Sequence, residues 1–438
     1  MPSATDQSSR ITKLTNCRLV RDGNLVEQDL WVSSVTGKIL RSQEVFYGRQ
    51  TVPDRVIDLG GRIVAPGLID VQLNGAFGMN FSDAPEDLSS YGKTLRQVNK
   101  ALVSTGVTSY LPTLTSQRSE VYHKVLPYLG PSGTQRISED GAESLGAHCE
   151  GPFLSPTKNG IHTAEVLIGA HKGIEDIEAC YGAANLSVQD ASSGEHQRTQ
   201  IRMLTAAPEV GVMTQLIPEL TKRGIIYSIG HSEATYEEAS AAVAAGATMI
   251  THLFNAMRPL HHRNPGIFGV LGIAESLPRP YFGIISDGIH LHPTSIKIAF
   301  NAHPDGFILV TDAMHLVGLA DGIYEWSNGE KIVKKGPRLT LEGSDKIAGS
   351  SITLIECVNN FRNWSGASIP QALGAVTATP AAMLGLTGVK GSLHEEADAD
   401  LVVLSERVDG DRRDLVVDQV WKFGTKVFDV EGMGRGLL

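Results

Sequence analysis

Five short segments carry side chains able to do chemistry together: His148-Cys149-Glu150-Gly151-Pro152, Gly230-His231-Ser232, Thr251-His252-Leu253-Phe254-Asn255-Ala256, Ser286-Asp287-Gly288-Ile289-His290 and Thr311-Asp312-Ala313. Each closes or follows an aliphatic run, which places it at the tip of an expected β-strand. One carboxylate and two imidazoles at separate tips, with a second carboxylate opposite, suit a catalytic zinc that keeps an open position for water. Singly, each residue has a bland explanation. A lone histidine at a strand end is more often a hydrogen-bonded structural residue, and Glu150 before Gly-Pro could stabilise a turn. Their recurrence at successive tips is what points to a metallohydrolase.

The elements that must position these tips follow a rhythm. From residue 61 the chain repeats an aliphatic or β-branched run, a polar tip and a helical stretch. The runs are Arg62 to Leu73, Val107 to Leu114, Ser144 to Cys149, Ile201 to Ala206, Ile225 to Ile229, Ala247 to Ile250, Tyr281 to Ile285 and Phe307 to Val310. Eight such units predict an α/β fold of the TIM type, a (β/α)8 barrel whose active site lies at the C-terminal strand ends. Connecting helices are readable, as in EATYEEASAAVAAG at 233–246, where the last glycine suits a helix C-cap.

The flanks read differently. Residues 11–60 hold short alternating segments broken by DG, TGK and GG, and 389–430 look similar. Neither part alone has enough core to be stable. The expected organisation is therefore a barrel over 61–388 and one small β-sandwich domain built from both termini, 1–60 and 389–438. Two polar stretches, 130–143 and 182–200, read as mobile surface insertions.

Bulk properties narrow the partners. A net charge of −10 with no basic stripe argues against nucleic acid, and no apolar run approaches a membrane span. An anionic small substrate stays compatible, since a few local cations can overcome an acidic global field. The polar opening MPSATDQSSR lacks the layout of a secretory signal, and Cys17, Cys149, Cys180 and Cys357 show no CxxC pairing. A cytoplasmic protein with reduced, buried thiols is expected.

Over nearly its whole length the chain resembles the N-acetylglucosamine-6-phosphate deacetylase branch of the amidohydrolase superfamily. The segments that carry the likeness are PGLIDVQLNGAFG (66–78), GAHCEGPFLSPTKNGIH (146–162), GHS (230–232), THLFNAM (251–257), RNPG (263–266), SDGIH (286–290), LVTDAM (309–314) and AGS (348–350). Binuclear amidohydrolases carry His-x-His on the first strand, where this chain has Gln72-Leu73-Asn74, and no lysine closes the fourth run. Two neutral amides are poor zinc ligands.

The resemblance therefore implies one divalent metal ion per subunit on Glu150, His231 and His252, zinc in first place with Fe2+ or Co2+ compatible. It makes Asp312 the catalytic acid/base and His162 a donor to the acetyl carbonyl. Asn255, the Ala256 amide, Arg263 and His290 become the contacts of the sugar phosphate. The implied reaction converts N-acetyl-D-glucosamine 6-phosphate to D-glucosamine 6-phosphate and acetate in amino-sugar catabolism. A homodimer is implied too, with a neighbouring subunit completing part of the phosphate site, and the sequence leaves open whether Arg263 or His290 crosses. Gln72 and Asn74 either position water or satisfy backbone groups, and His261 and His262 read as solvated loop residues. Two rival readings are a different amidohydrolase activity, which Arg263 and the Asn255-Ala256 tip oppose, and a catalytically dead barrel, which the intact set of Glu150, His231, His252 and Asp312 opposes.

Overall fold

The computed structural model describes residues 11–41, 52–187, 199–274, 277–325 and 329–432. Eight parallel strands form the central sheet: Leu68–Leu73, Val107–Leu114, Ala147–Glu150, Ile201–Ala206, Ile226–Ile229, Met249–Ile250, Tyr281–Ile285 and Phe307–Val310, here barrel strands 1 to 8. Neighbours pair in sequence order from 1 to 8, so the expected TIM-type barrel is present. Side chains alternate across the wall as strand geometry requires. On strand 8, Phe307 and Leu309 join the large outer core. Ile308 and Val310 meet Ile69, Val71, Leu111, Met203, Met249 and Ile285 in a second cluster that fills the interior.

Closure between strands 8 and 1 is partial. At the tip end Asp312 N donates to Gln72 O (2.9 Å) and Asn74 N to Ala313 O (2.9 Å). Lower down, Ile69 N and Leu309 N donate to Val376 O (2.8 Å) and Ala375 O (3.1 Å), so a later segment wedges the seam. The buried Asp70 staples it from within: Oδ2 accepts from Thr311 Oγ1 (2.6 Å) and Oδ1 from Gln72 N (3.2 Å).

Local signals behave as read in the alanine-rich segment. Its helix spans Tyr236–Ala245, starts with a reciprocal capping box between Thr235 and Glu238, and stops at left-handed Gly246. The terminal strands also meet as expected. One sheet orders Lys38–Ile39, Leu30–Ser33, Ile11–Thr15 and Arg55–Asp58; the other orders Thr425–Asp429, Arg412–Lys422, Leu401–Asp409, Ile63–Pro66, Arg18–Arg21 and Asn24–Glu27. Leu14 and Val32 from the first share one apolar cluster with Leu19, Val64, Leu401, Val403 and Trp421 from the second.

Three expectations need correction. The run Arg62 to Leu73 is two strands, because Ile63–Pro66 pairs with the C-terminal strand and Leu68–Leu73 enters the barrel. The break is Gly67, where a Cβ would lie 2.1 Å from Thr108 Oγ1. After strand 8 an unforeseen antiparallel sheet appears, Gly322–Glu325, Lys331–Lys335, Arg338–Leu341 and Ile347–Ser350, whose last strand bridges Ala313. The stretch 130–143 is no free surface loop. Arg136 donates to Gly37 O and to Asp398, and buried Glu143 sits in an ionic cluster. Of the other stretch, 182–200, residues 188–198 lie outside the described set.

That cluster welds the barrel to the terminal sheets. Lys390 Nζ contacts Glu143, Asp398 (2.8 Å) and Asp400 (2.6 Å), and fully buried Lys422 Nζ contacts Glu143 (2.6 Å) and Asp400 (2.8 Å). Burial by itself would raise the Glu143 carboxyl, but the two ammonium groups outweigh it and hold it down at about 2. Removing one cation leaves buried negative charge uncompensated, which costs about 3–5 kcal/mol. Lys422→Met should therefore lower the urea midpoint at pH 7 markedly. Glu143 binds its proton less readily when folded than at its ordinary 4.5, so its contribution to stability is complete above that value. It should vanish as pH falls from about 4.5 toward 2, seen as an acid-unfolding limb that Glu143→Gln flattens.

Candidate active site

The tips of barrel strands 3, 5, 6, 7 and 8 converge on one cavity of about 230 Å³, walled by Glu150, His162, His231, His252, Asn255, Ala256, His290 and Asp312, with Asn74 and Thr115. His231, His252 and Asp312 each sit two residues past a strand end with positive φ (49°, 27° and 46°). A left-handed residue at that point swings the side chain off the strand direction, at about 1–3 kcal/mol of local strain. The sheet after strand 8 adds Ile347 and Gly349 to the rim. Gly349 has φ 101° and lies so close over Met314 that a Cβ would stand 2.6 Å from its Cγ.

Glu150, His231 and His252 form a tight triangle: Glu150 Oε1 is 3.0 Å from both Nε2 atoms, which are 3.0 Å from each other. His231 Nδ1 donates to Lys158 O (2.7 Å), which leaves a lone pair on Nε2 in the neutral ring. That lone pair faces a carboxylate oxygen and another ring nitrogen, an arrangement that demands a positive charge at its centre. Burial opposes charge on Glu150, yet the two imidazoles hold its carboxyl well below the usual range. For His252 burial lowers proton affinity, and Glu150 reverses this to about 9. One carboxylate and two imidazoles aimed at a common point, with other positions left open, fit a divalent cation of the zinc type.

A second acidic group, Glu143, Asp398 and Asp400, has comparable spacing. Lys390 and Lys422 already fill it with positive charge, so it does not compete for a cation.

Gln72 and Asn74 do not serve backbone groups with their amide donors. Gln72 Nε2 bridges Glu150 Oε2 (3.1 Å) and Asp312 Oδ1 (3.2 Å), and Asn74 Nδ2 donates to Asp312 Oδ1 (2.7 Å). The two amides thus fix one oxygen of Asp312, while Oδ2 has no partner among the described residues. Burial, then the charge of Glu150, push the Asp312 carboxyl up to about 6, against the opposing pull of His252 and Asn74.

His162 has its tautomer set from outside the cavity. Its Nδ1 accepts from Ser116 N (3.0 Å), with the Ser116 hydroxyl at 2.8 Å, so the neutral ring carries its proton on Nε2. Burial, helped by His231, pushes its pKa down to about 3, which keeps the ring neutral and a donor. His290 Nδ1 lies 2.6 Å from Asp287 Oδ2. Asn255 keeps a buried carboxamide oxygen without a partner among the described residues.

One predicted residue stays outside. Arg263 is exposed on the loop after strand 6, where its guanidinium contacts His262 (3.1 Å), and it does not line the cavity of its own chain. His261 and His262 are exposed beside it, as expected. Sequence reading singled out the tip that holds Asp287 but gave that residue no role, and it missed Asp70, Ser116 and the pair Tyr122 and Tyr181, whose hydroxyls both donate to Gly151 O (3.0 and 2.7 Å) directly after Glu150. The local signal was thin: a polar residue one or two places from a tip, or an aromatic in an otherwise ordinary helix.

Comparison with known proteins gives a consistent picture. The amidohydrolase family model matches residues 63–427. N-acetylglucosamine-6-phosphate deacetylase of Danio rerio is 40% identical over 427 residues, covering 96% of this chain and 100% of the relative. The crystal structure of the Pasteurella multocida N-acetylglucosamine-6-phosphate deacetylase superposes with a TM-score of 0.76 at 27% identity, covering 95% of this chain and 99% of that one. A Mycobacterium smegmatis deacetylase solved with N-acetyl-D-glucosamine-6-phosphate gives 0.74 at 26% identity, with 95% and 99% covered.

Purified chain should carry about one equivalent of divalent metal, not two, with His231→Asn carrying almost none by elemental mass spectrometry. A second tightly held equivalent would contradict the lysine-filled reading of the acidic group.

Proposed function

The chain belongs to the amidohydrolase family, within its N-acetylglucosamine-6-phosphate deacetylase group, and on that premise we propose how its residues divide the hydrolysis of N-acetyl-D-glucosamine 6-phosphate to D-glucosamine 6-phosphate and acetate. The observation that carries the proposal is two differently held carboxylates lining one cavity: Glu150 with Oε1 3.0 Å from two imidazole nitrogens, and Asp312 with Oδ1 fixed by two amides and Oδ2 free of hydrogen bonds among the described residues.

Glu150, His231 and His252 hold the divalent ion, zinc by preference, with Fe2+ and Co2+ compatible with the same donors. When bound, the ion supplies Lewis acidity toward water and the acetamide carbonyl. Asp312 is the acid/base. With Oδ1 fixed by Gln72 and Asn74, its Oδ2 takes the proton of the attacking water and returns it to the departing amine nitrogen. An ionised carboxylate at that position can accept the proton of the water and, once protonated, give it up to the amine. His162 offers its Nε2 proton to the acetyl oxygen as negative charge develops there.

The phosphate end is assigned to Asn255, the Ala256 amide and His290 within the chain, completed by Arg263 from a second subunit of a homodimer. Two observations favour that division. His290 lines its own cavity while Arg263 is exposed and does not, and Leu260, in the same loop, is more than half exposed. We place the enzyme in the cytoplasm; its four cysteines are buried and unpaired, as a reducing compartment keeps them.

The metal-loaded chain should release acetate from N-acetylglucosamine 6-phosphate, lose activity on chelation and regain it with zinc. Asp312→Asn should lower kcat by about a hundred- to ten-thousand-fold; parent-level turnover in this variant would sink the mechanism. Charged hydrogen bonds are worth about 1.5–3 kcal/mol each, so kcat/KM should favour the phosphorylated sugar by roughly a hundred-fold or more. Mixing inactive Asp312→Asn and Arg263→Ala subunits should restore activity if Arg263 serves the neighbouring site. No recovery on mixing would place Arg263 in its own site or in none.

A further inference from the structure

At the tip of barrel strand 7 the Asp287 carboxylate is buried and fully engaged. Oδ1 accepts from Ile289 N (2.8 Å) and His290 N (2.9 Å), and Oδ2 faces His290 Nδ1 at 2.6 Å. A carboxylate only accepts, so Nδ1 carries a proton and donates. Nε2 remains as the nitrogen available to the cavity that the ring lines. Among the described residues His290 is the only cationic partner of Asp287. Other charged groups that act on His290 are Asp312 from strand 8, which favours its positive form, and His252 from strand 6, which opposes it. Burial also opposes charge on the ring, and Asp287 outweighs both.

We propose that Asp287 is a positioning residue that locks His290 as a charge-assisted donor toward the cavity, and thereby sets the preference of the site for a sugar bearing a phosphate over the same sugar without one. This rests on the phosphosugar reading given above. A purely structural role, tying the turn through Oδ1, predicts something different. In Asp287→Asn the carboxamide oxygen can keep both backbone bonds, so the turn survives. Its NH2 then donates to Nδ1, and His290 becomes a neutral ring with a weaker donor at Nε2.

The test uses the full-length, zinc-loaded enzyme as wild type, Asp287→Asn, His290→Asn and the double variant. KM and kcat are measured with N-acetylglucosamine 6-phosphate and N-acetylglucosamine, and the affinity for glucosamine 6-phosphate by calorimetry. The expected result for Asp287→Asn is a rise in KM of about ten-fold for the phosphorylated sugar, with the loss in KM rather than kcat. The kcat/KM for the unphosphorylated sugar should hold, and Asp287→Asn should add nothing in the His290→Asn background. Equal loss on both sugars, or additive losses in the double variant, would overturn the proposal.

Should the wild type turn over neither sugar, the functional reading fails, and calorimetry still decides this one: ten-fold weaker binding of glucosamine 6-phosphate supports it, equal binding overturns it. Should Asp287→Asn not fold, nitrogen NMR of the wild-type His290 ring at pH 7 decides. A proton on Nδ1 is expected, joined by one on Nε2 when glucosamine 6-phosphate is bound; a lone pair on either nitrogen in that complex overturns the proposal.

Discussion

Everything at the catalytic end of this barrel hangs on the incomplete seam between strands 8 and 1. Only the top of that seam is joined directly, by Asp312 N to Gln72 O and by Asp70 to Thr311. The Gln72 side-chain amide then donates to both Asp312 and Glu150. Barrel closure and the alignment of Asp312 with Glu150 are therefore one set of hydrogen bonds. A catalytic constellation tolerates displacements of only about 0.5 Å, and here a slip of the seam would carry Asp312 away from Gln72 and Glu150 by the same amount. The left-handed backbone at Asp312 is held by this closure, its N–H being tied to Gln72 O.

Much of the architecture was legible because it depends on local pattern. Aliphatic runs with loaded tips mark barrel strands wherever a strand is buried on both faces, and seven of the predicted site residues lie where their tips converge: Glu150, His162, His231, His252, Asn255, His290 and Asp312. Ala256 joins them in the cavity wall. What escaped reading was set by distant partners. Gln72 finds its acceptors 78 and 240 positions away, a distance at which an amide's neighbours in sequence say nothing of its bonds.

The polar stretch 130–143 illustrates the same difficulty in charge. Buried and exposed ionic residues are identical in composition, so a segment that docks Arg136 and Glu143 against the terminal sheets looks like a solvated loop. The sheet over Gly322 to Ser350 hid for a different reason. Its strands are only four or five residues long, with one apolar face resting on Met314 and Leu316, so their alternation is weak beside that of the barrel. Arg263 is a cation on an exposed loop, and its neighbours in sequence do not say what such a side chain meets.

The sheet that pairs Ile63–Pro66 with Leu401–Asp409 has a consequence for how the chain is made. Strands from the first part of the chain share their apolar cluster with Leu401, Val403 and Trp421, which leave the ribosome only after the entire barrel. At about 5–20 residues per second, the early strands wait on the order of tens of seconds for their partners. During that interval their unpaired edges and half-built core are open to wrong pairings and to capture by chaperones. Truncation late in the chain would consequently damage the first folded elements as surely as the last.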